Sequence, residues 1–322
     1  MTSTRHLGLD LGGTLLKWAV VESTDGRWDR LATGVVPTRL DAGADGLVAQ
    51  LQETAAAANA DWGPAATVGL GIPGRYDAAG GRVILTPNIP VPWAGTPVAE
   101  RLQRVVRAPV HLLNDARAFT LAELRLGAGR GAQTLVGMTL GTGVGGGIAI
   151  RGELYLGHDG AAGEIGHQTI DPDGPLCNCG NRGCVEAFAR ADVIAATCGT
   201  SSVEAAVRAA AGGDARALDG LAQVGRYLGI GIANLVTVLT PDRVVVGGGV
   251  AAAGELLFAP IRAELGRRVR MTGSTGVEIV PAELGTWAGA IGAAIHGAEA
   301  DGTQDPNRRL EAAPHGGKRT DA

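Results

Sequence analysis

Lysine is nearly absent from this chain. It occurs only at Lys17 and Lys318, so arginine carries almost all of the positive charge. This reads as a bias of the genome rather than of function. It nevertheless excludes a P-loop nucleotide site, because no Gly-x-x-x-x-Gly-Lys-[Ser/Thr] segment is present. Aromatic residues are scarce at 3%, so the core has to be built from Ala, Val, Leu and Ile. No basic run interrupts the folded part and the net charge is −4, which argues against a nucleic-acid surface. The start, MTSTRHLGLDLGG, lacks the long apolar region of a signal peptide. No bilayer-length stretch stays apolar without glycine or polar interruptions. The expectation is a cytoplasmic protein with no membrane or nucleic-acid partner. Of the four cysteines, three crowd into Cys177, Cys179 and Cys184. In a reducing compartment such crowding points to a metal rather than to disulfides. Cys198 stands apart and reads as a buried helix residue.

What the chain has in excess is glycine, 52 of 322 residues, beside an ordinary hydrophobic fraction of 45%. That length permits one or two domains with a sizeable core. An alternating strand over 6–11 meets a glycine turn, and a second strand follows over 15–21, with a third near 32–36. A helix is expected over 45–59, with Leu47, Val48, Leu51 and Ala55 on one stripe. A buried strand over 67–72 ends at Pro73-Gly74. A helix over 97–106 precedes a strand over 110–113, which runs into Asn114-Asp115 and a further helix to about 126. The order strand, glycine turn, strand recurs over 134–150 and suggests two related halves. Helices dominate 185–239, a strand over 243–246 ends in three glycines, and a last helix covers 287–298. The pattern is α/β, with two lobes and a cleft between them. The expected division is 1–116 and 117–300, with a disordered tail over 301–322.

Three glycine-rich turns follow apolar strands: Asp10-Leu11-Gly12-Gly13-Thr14, Gly141-Thr142-Gly143 and Gly247-Gly248-Gly249. Glycine lets backbone N–H groups approach phosphate closely, and successive N–H groups form an anion-binding concavity. The second turn formally matches a dinucleotide fingerprint, Gly141-x-Gly143-x-x-Gly146. That fingerprint must open a helix, whereas residues 148–154 read as strand, so a Rossmann dehydrogenase is excluded. Phosphate charge is then left to backbone N–H groups, threonine hydroxyls and Mg²⁺, with Asp10 the acid near that metal.

Asn114-Asp115 sits at the C-terminal end of a strand, where α/β proteins place ligands. An aspartate there can accept the proton of a hydroxyl attacking a γ-phosphoryl group. Either residue can equally be a helix N-cap, and the two roles can be divided between them. His167 followed by Cys177-x-Cys179-Gly-x-x-Gly-Cys184 places four ligands within 18 residues, which suits tetrahedral zinc. A Cys₃His set leaves no open position, so this zinc is structural and a zinc hydrolase is disfavoured. Glu164 and Glu186 flank the set. Two carboxylates and an imidazole suit sugar hydroxyls, although solvated glutamates fit the spacing as well.

Together these segments resemble the ROK family of repressors and sugar kinases. The likeness runs from Leu7 to about Ala298. It rests on DLGGT at Asp10–Thr14, GIPG at Gly71–Gly74, PN at Pro87-Asn88, ND at Asn114-Asp115 and GTGVGGG at Gly141–Gly147. It continues in GEIGH at Gly163–His167, CNCGNRGCVE at Cys177–Glu186, GGG at Gly247–Gly249 and AGAIGAA at Ala288–Ala294. The resemblance implies an actin-like, ribonuclease H-like two-lobed ATPase fold, ATP with Mg²⁺, and phosphorylation of a sugar on a primary hydroxyl. It implies Asp115 as general base. Asn88, Asn114, Glu164, His167 and Glu186 would hold the sugar together with Asp115, and His167 would also bind zinc with Cys177, Cys179 and Cys184. It further implies a homodimer or homotetramer, and glucose as the first acceptor to test. Three features depart from the family pattern: Leu15 after DLGGT, Arg117 where Asn is common, and Ile-Pro-Val-Pro-Trp after Asn88. They leave an N-acetylhexosamine, fructose, allose or a C7-cyclitol open as acceptor. Family repressors carry a helix-turn-helix ahead of DLGGT, and the nine residues before Asp10 are too few for one. A sugar sensor that binds no DNA is the remaining alternative.

Overall fold

The computed structural model describes residues 3–87, 89–272 and 276–302. Asn88, expected at the sugar, and most of the expected tail lie outside the described residues. The first half contains β1 (Ser3–Leu11), β2 (Leu15–Thr24), β3 (Arg27–Pro37), α1 (Gly43–Trp62), β4 (Thr67–Ile72), β5 (Arg75–Asp77), β6 (Arg82–Leu85), α2 (Val98–Val106) and β7 (Val110–Asn114). α3 (Asp115–Leu126) leads to β8 (Thr134–Leu140), β9 (Val144–Ile150) and β10 (Glu153–Tyr155). Then come α4 (Val185–Ala189), α5 (Ala191–Cys198), α6 (Val203–Ala211), α7 (Ala215–Leu239), β11 (Arg243–Gly247), α8 (Glu255–Arg268), β12 (Glu278–Pro281) and α9 (Ala288–Asp301).

Two five-stranded sheets share one topology. The first runs β3-β2-β1-β4-β7 and the second β10-β9-β8-β11-β12. In each, the first three strands in chain order are antiparallel neighbours and the remaining pairings are parallel. The repeated strand–turn–strand of the sequence is thus β1–β2 in one sheet and β8–β9 in the other.

α3 and α9 lie between the sheets. Ala19 and Val21 of β2, Phe119 and Leu121 of α3, Leu135 and Ala149 of the second sheet, and Ala290 and Ile291 of α9 form one apolar cluster. Small residues make this possible. A Cβ added at Gly8 would stand 1.8 Å from the Ala290 carbonyl oxygen, and one at Gly69 would stand 1.7 Å from that of Ala293. The outer face of the first sheet is covered by Leu47 and Leu51 of α1 and Leu102 of α2. The outer face of the second packs on α7 and α8 through Leu221, Leu228, Ile232, Ile261 and Leu265. α7 is long and apolar enough to cross a membrane by composition. Here its apolar face is part of that core.

Glu123, fully buried in α3, holds the end of this layer together. Its carboxylate accepts the N–H groups of Ala128 at 2.8 Å, Glu283 at 3.1 Å and Leu284 at 2.9 Å. A buried carboxylate with several N–H donors is satisfied; the same donors without it are stranded. Glu123→Ala is therefore expected to lower the unfolding free energy by about 3 kcal/mol. The check is a urea titration in which the midpoint falls while the slope is unchanged.

Candidate active site

The first glycine turn is the hairpin between β1 and β2. The Gly12 N–H donates to the Leu15 carbonyl at 3.0 Å, and the Thr38 hydroxyl donates to the Gly12 carbonyl at 2.8 Å. Asp10 pairs with Lys17 across the hairpin, and the Lys17 Nζ lies 3.4 Å from Asp10 Oδ2. Asp10 is buried, which pushes its carboxyl above the usual range, while Lys17 pulls it back. The start of α9 presses on the same group: a Cβ at Gly289 would stand 2.5 Å from Asp10 Oδ2.

β7 delivers Asn114 and Asp115 to the start of α3, where the two divide their roles. Asn114 is the N-cap, its Oδ1 accepting the N–H groups of Ala116 at 3.1 Å and Arg117 at 3.2 Å. Its Nδ2 donates to the Gly74 carbonyl at 3.3 Å. Asp115 takes the first helical position and accepts the Ala116 N–H at 2.9 Å. Burial raises its carboxyl to about 7, helped by the charge of Asp10 and more weakly of Glu164, and opposed by the Ala116 N–H and Arg117. A base titrating near neutrality suits proton abstraction at ordinary pH.

The second turn, Gly141-Thr142-Gly143, joins β8 to β9. The third, Gly247-Gly248-Gly249, leaves β11 and crosses the end of β8: a Cβ at Gly248 would stand 2.1 Å from the Leu140 carbonyl oxygen. A left-handed glycine (φ 88°) is thus required there. Glu186 is engaged with the second turn. Its Oε2 accepts the Val144 N–H at 2.9 Å, and its Oε1 lies 3.7 Å from Cys177 Sγ.

The four expected metal ligands converge. The donor atoms of His167, Cys177, Cys179 and Cys184 all lie within 4.8 Å of one another. His167 turns Nδ1 toward Cys177 Sγ at 3.7 Å, and Cys179 Sγ stands 3.8 Å from Cys184 Sγ. That separation is far too long for a disulfide and matches the edge, about 3.8 Å, of a tetrahedron with Zn–S near 2.3 Å. Three thiols and an imidazole are a donor set of the right chemistry for zinc. The hairpin that presents them is closed by the Cys177 N–H to the Asn181 carbonyl at 2.8 Å and the Gly180 N–H to the Cys177 carbonyl at 2.9 Å.

Two residues with no role in the sequence reading belong to this region. Lys17 is one. Arg117 is the other: although noted as a departure, it turns out to be buried and bonded to the segment that carries Glu164. Lys17 could have been flagged by its place across the hairpin from Asp10.

Duplicated sheets, with glycine turns at their ends and a strand-end aspartate before α3, define the two-lobed actin-like ATPase fold. The chain belongs to the ROK family, whose model matches residues 6–298. A glucokinase of Thermotoga maritima is 34% identical over 313 residues, covering 91% of this chain and 97% of the relative. The ROK glucokinase of Streptomyces griseus, solved with glucose and AMPPNP, superposes with a TM-score of 0.77 at 33% identity, covering 92% of this chain and 99% of that one. The ROK hexokinase of Thermus thermophilus gives 0.79 at 35% identity, with 94% and 99% covered.

The raised Asp115 carboxyl has a consequence for stability. The folded protein holds a proton there that the unfolded chain releases near pH 4, so ionisation at Asp115 costs stability as pH rises toward and through 7. Asp115→Asn should therefore melt at a higher temperature than the wild-type protein at pH 8. Thermal melts over a pH series should show that gap closing below about pH 4.

Proposed function

We propose that this chain is a kinase that transfers the γ-phosphoryl group of ATP to a primary hydroxyl of a hexose-like sugar, with glucose the first acceptor to test. The observation that carries this is Asp115, a carboxylate held near neutrality at the start of α3 beside Asp10 and Glu164. In this reading Asp115 accepts the proton of the acceptor hydroxyl as its oxygen attacks the γ-phosphorus. The bond from that phosphorus to the β–γ bridging oxygen breaks, and ADP leaves. In this reading the turns Gly12-Gly13-Thr14, Gly141-Thr142-Gly143 and Gly247-Gly248-Gly249 line the nucleotide, with the Gly12 and Gly141 N–H groups spent on closing their own turns. Mg²⁺ beside Asp10 would supply charge neutralisation at the phosphates. Asn114, Glu164, His167 and Glu186 would hold the acceptor, with Asn88 assigned to it by the family resemblance alone.

His167 and the three cysteines would hold a structural zinc. Bound through Nδ1, the His167 ring leaves Nε2 available to a sugar hydroxyl. We take the lobes as 1–116 and 117–300, although α9, within the second range, packs on the first sheet. The protein is read as cytoplasmic, a homodimer or homotetramer, without nucleic-acid or membrane partners. Arg117 and the segment after residue 88 keep other acceptors open: an N-acetylhexosamine, fructose, allose or a C7-cyclitol.

An ADP-release assay across hexoses, amino sugars and cyclitols tests the activity. Asp115→Asn is expected to lose ~10²- to 10⁴-fold in kcat or more while the acceptor still binds. The wild-type rate should fall as pH drops below about 7, as Asp115 takes up its proton. Near-normal turnover by the variant would remove Asp115 from the mechanism. Chelation provides a second test. Stripping a structural zinc should lower the melting temperature and weaken acceptor binding together. Loss of rate with an unchanged melting curve would instead mark the metal as catalytic.

A further inference from the structure

Arg117 stands in the first turn of α3, two residues after Asp115, and its side chain is 2% exposed. A guanidinium so buried is costly unless it is paired. Its Nε donates to the Ala162 carbonyl at 2.6 Å and its Nη2 to Glu164 Oε1 at 3.0 Å. Both partners belong to the segment that leads into the metal-ligand turn. That segment is also pressed on the second sheet, since a Cβ at Gly163 would stand 2.9 Å from Gly147 Cα. Arg117 therefore fixes one oxygen of Glu164, while the Glu164 side chain as a whole remains 49% exposed.

We propose that Arg117 is a positioning residue of the acceptor site, its fork locking Glu164 and the Ala162 backbone at a set distance from Asp115. This rests on the kinase reading. A planar fork of fixed geometry can hold a carbonyl and a carboxylate at once, whereas a lysine ammonium is a point charge on a flexible stem. The same guanidinium contributes to the field at Asp115. The groups acting there are Asp10 and Glu164, which raise its carboxyl, and the Ala116 N–H and Arg117, which lower it. Geometry and charge can thus be separated by substitution. Arg117→Lys keeps the charge and loses the fork; Arg117→Met loses both.

The experiment is steady-state kinetics with ATP and glucose, or with the acceptor that the wild-type enzyme turns over fastest in the panel. Arg117→Lys should raise the acceptor KM about tenfold or more, the worth of a charge-assisted hydrogen bond, with a much smaller change in kcat. The acid limb of its pH–rate profile should stay where the wild-type limb lies. Arg117→Met should raise KM similarly and move the acid limb to higher pH. Glu164→Gln should reproduce the rise in KM, and adding Arg117→Met to it should raise KM little further. Circular dichroism and melting curves establish that each variant is folded. If Arg117→Met does not fold, Arg117→Lys and Glu164→Gln still decide. An unchanged acceptor KM in Arg117→Lys overturns the proposal, as does a fully additive double substitution. A wild-type protein with no turnover on any acceptor instead overturns the kinase reading itself.

Discussion

Backbone rests directly on backbone where α9 crosses β1, β4 and α3. Gly8 and Gly69 admit the carbonyls of Ala290 and Ala293, and a Cβ at Gly292 would stand 1.7 Å from the Ala118 carbonyl oxygen. No side chain separates these elements, so their spacing is set by main-chain atoms and is stiff. The rest of the arrangement follows. α3 and α9 are clamped between two sheets, and the end of β1, the start of α3 and the start of α9 converge. Asp10 meets α9 at Gly289, where a Cβ would stand 2.5 Å from its Oδ2, and its charge is felt at Asp115. A chain poor in aromatics reaches this density with Ala, Gly and Val, at the expense of tolerance: one methyl group at Gly8, Gly69 or Gly292 meets a carbonyl oxygen, and one at Gly289 meets the Asp10 carboxylate.

Charge crowding is the second consequence. Asp10, Asp115 and Glu164 share one region, in which Lys17 pairs with Asp10 and Arg117 with Glu164. Each cation pairs with a neighbouring carboxylate, and neither forms an ion pair with Asp115. Burial and residual repulsion then hold Asp115 near neutrality, where a carboxylate is still ionised in part yet basic enough to take a proton. The only lysine among the described residues thus has a definite electrostatic place, despite the genome-wide scarcity read from composition.

Much of this was legible in the sequence where the signal is local. The paired strand–turn–strand units, the helix start at Asn114-Asp115 and the convergence of His167 with three cysteines all follow from short-range spacing. The strand-end pair even allowed for the division of labour found, with Asn114 capping and Asp115 left at the first helical position. What periodicity could not convey is which distant element a side chain meets. Arg117 and Glu164 are 47 residues apart, and a buried arginine in a helix looks like any other arginine. Glu186 invited a sugar-contact reading from its nearness to Cys184, while one of its oxygens is bound to the Val144 N–H, 42 residues away. The small residues of α9 predict a helix without saying that both sheets enclose it.

The loop that carries His167 and the three cysteines has little else to hold it in place. Cys177, Cys184 and Ala187 form only a small apolar cluster, and Leu176 beside them is 61% exposed. A loop that buries so little apolar surface has little hydrophobic energy to hold it. Yet it carries His167, lies one turn from Glu164, and through Glu186 reaches the backbone at the end of the second glycine turn. Under the proposed zinc binding, bonds to four side chains replace the missing core. The same bonds would tie the proposed acceptor residues to the second glycine turn, since Cys177 Sγ lies 3.7 Å from both His167 Nδ1 and Glu186 Oε1, and Glu186 Oε2 accepts the Val144 N–H. Zinc there would act at a distance from the reacting atoms, by fixing the loop from which His167 and Glu186 extend.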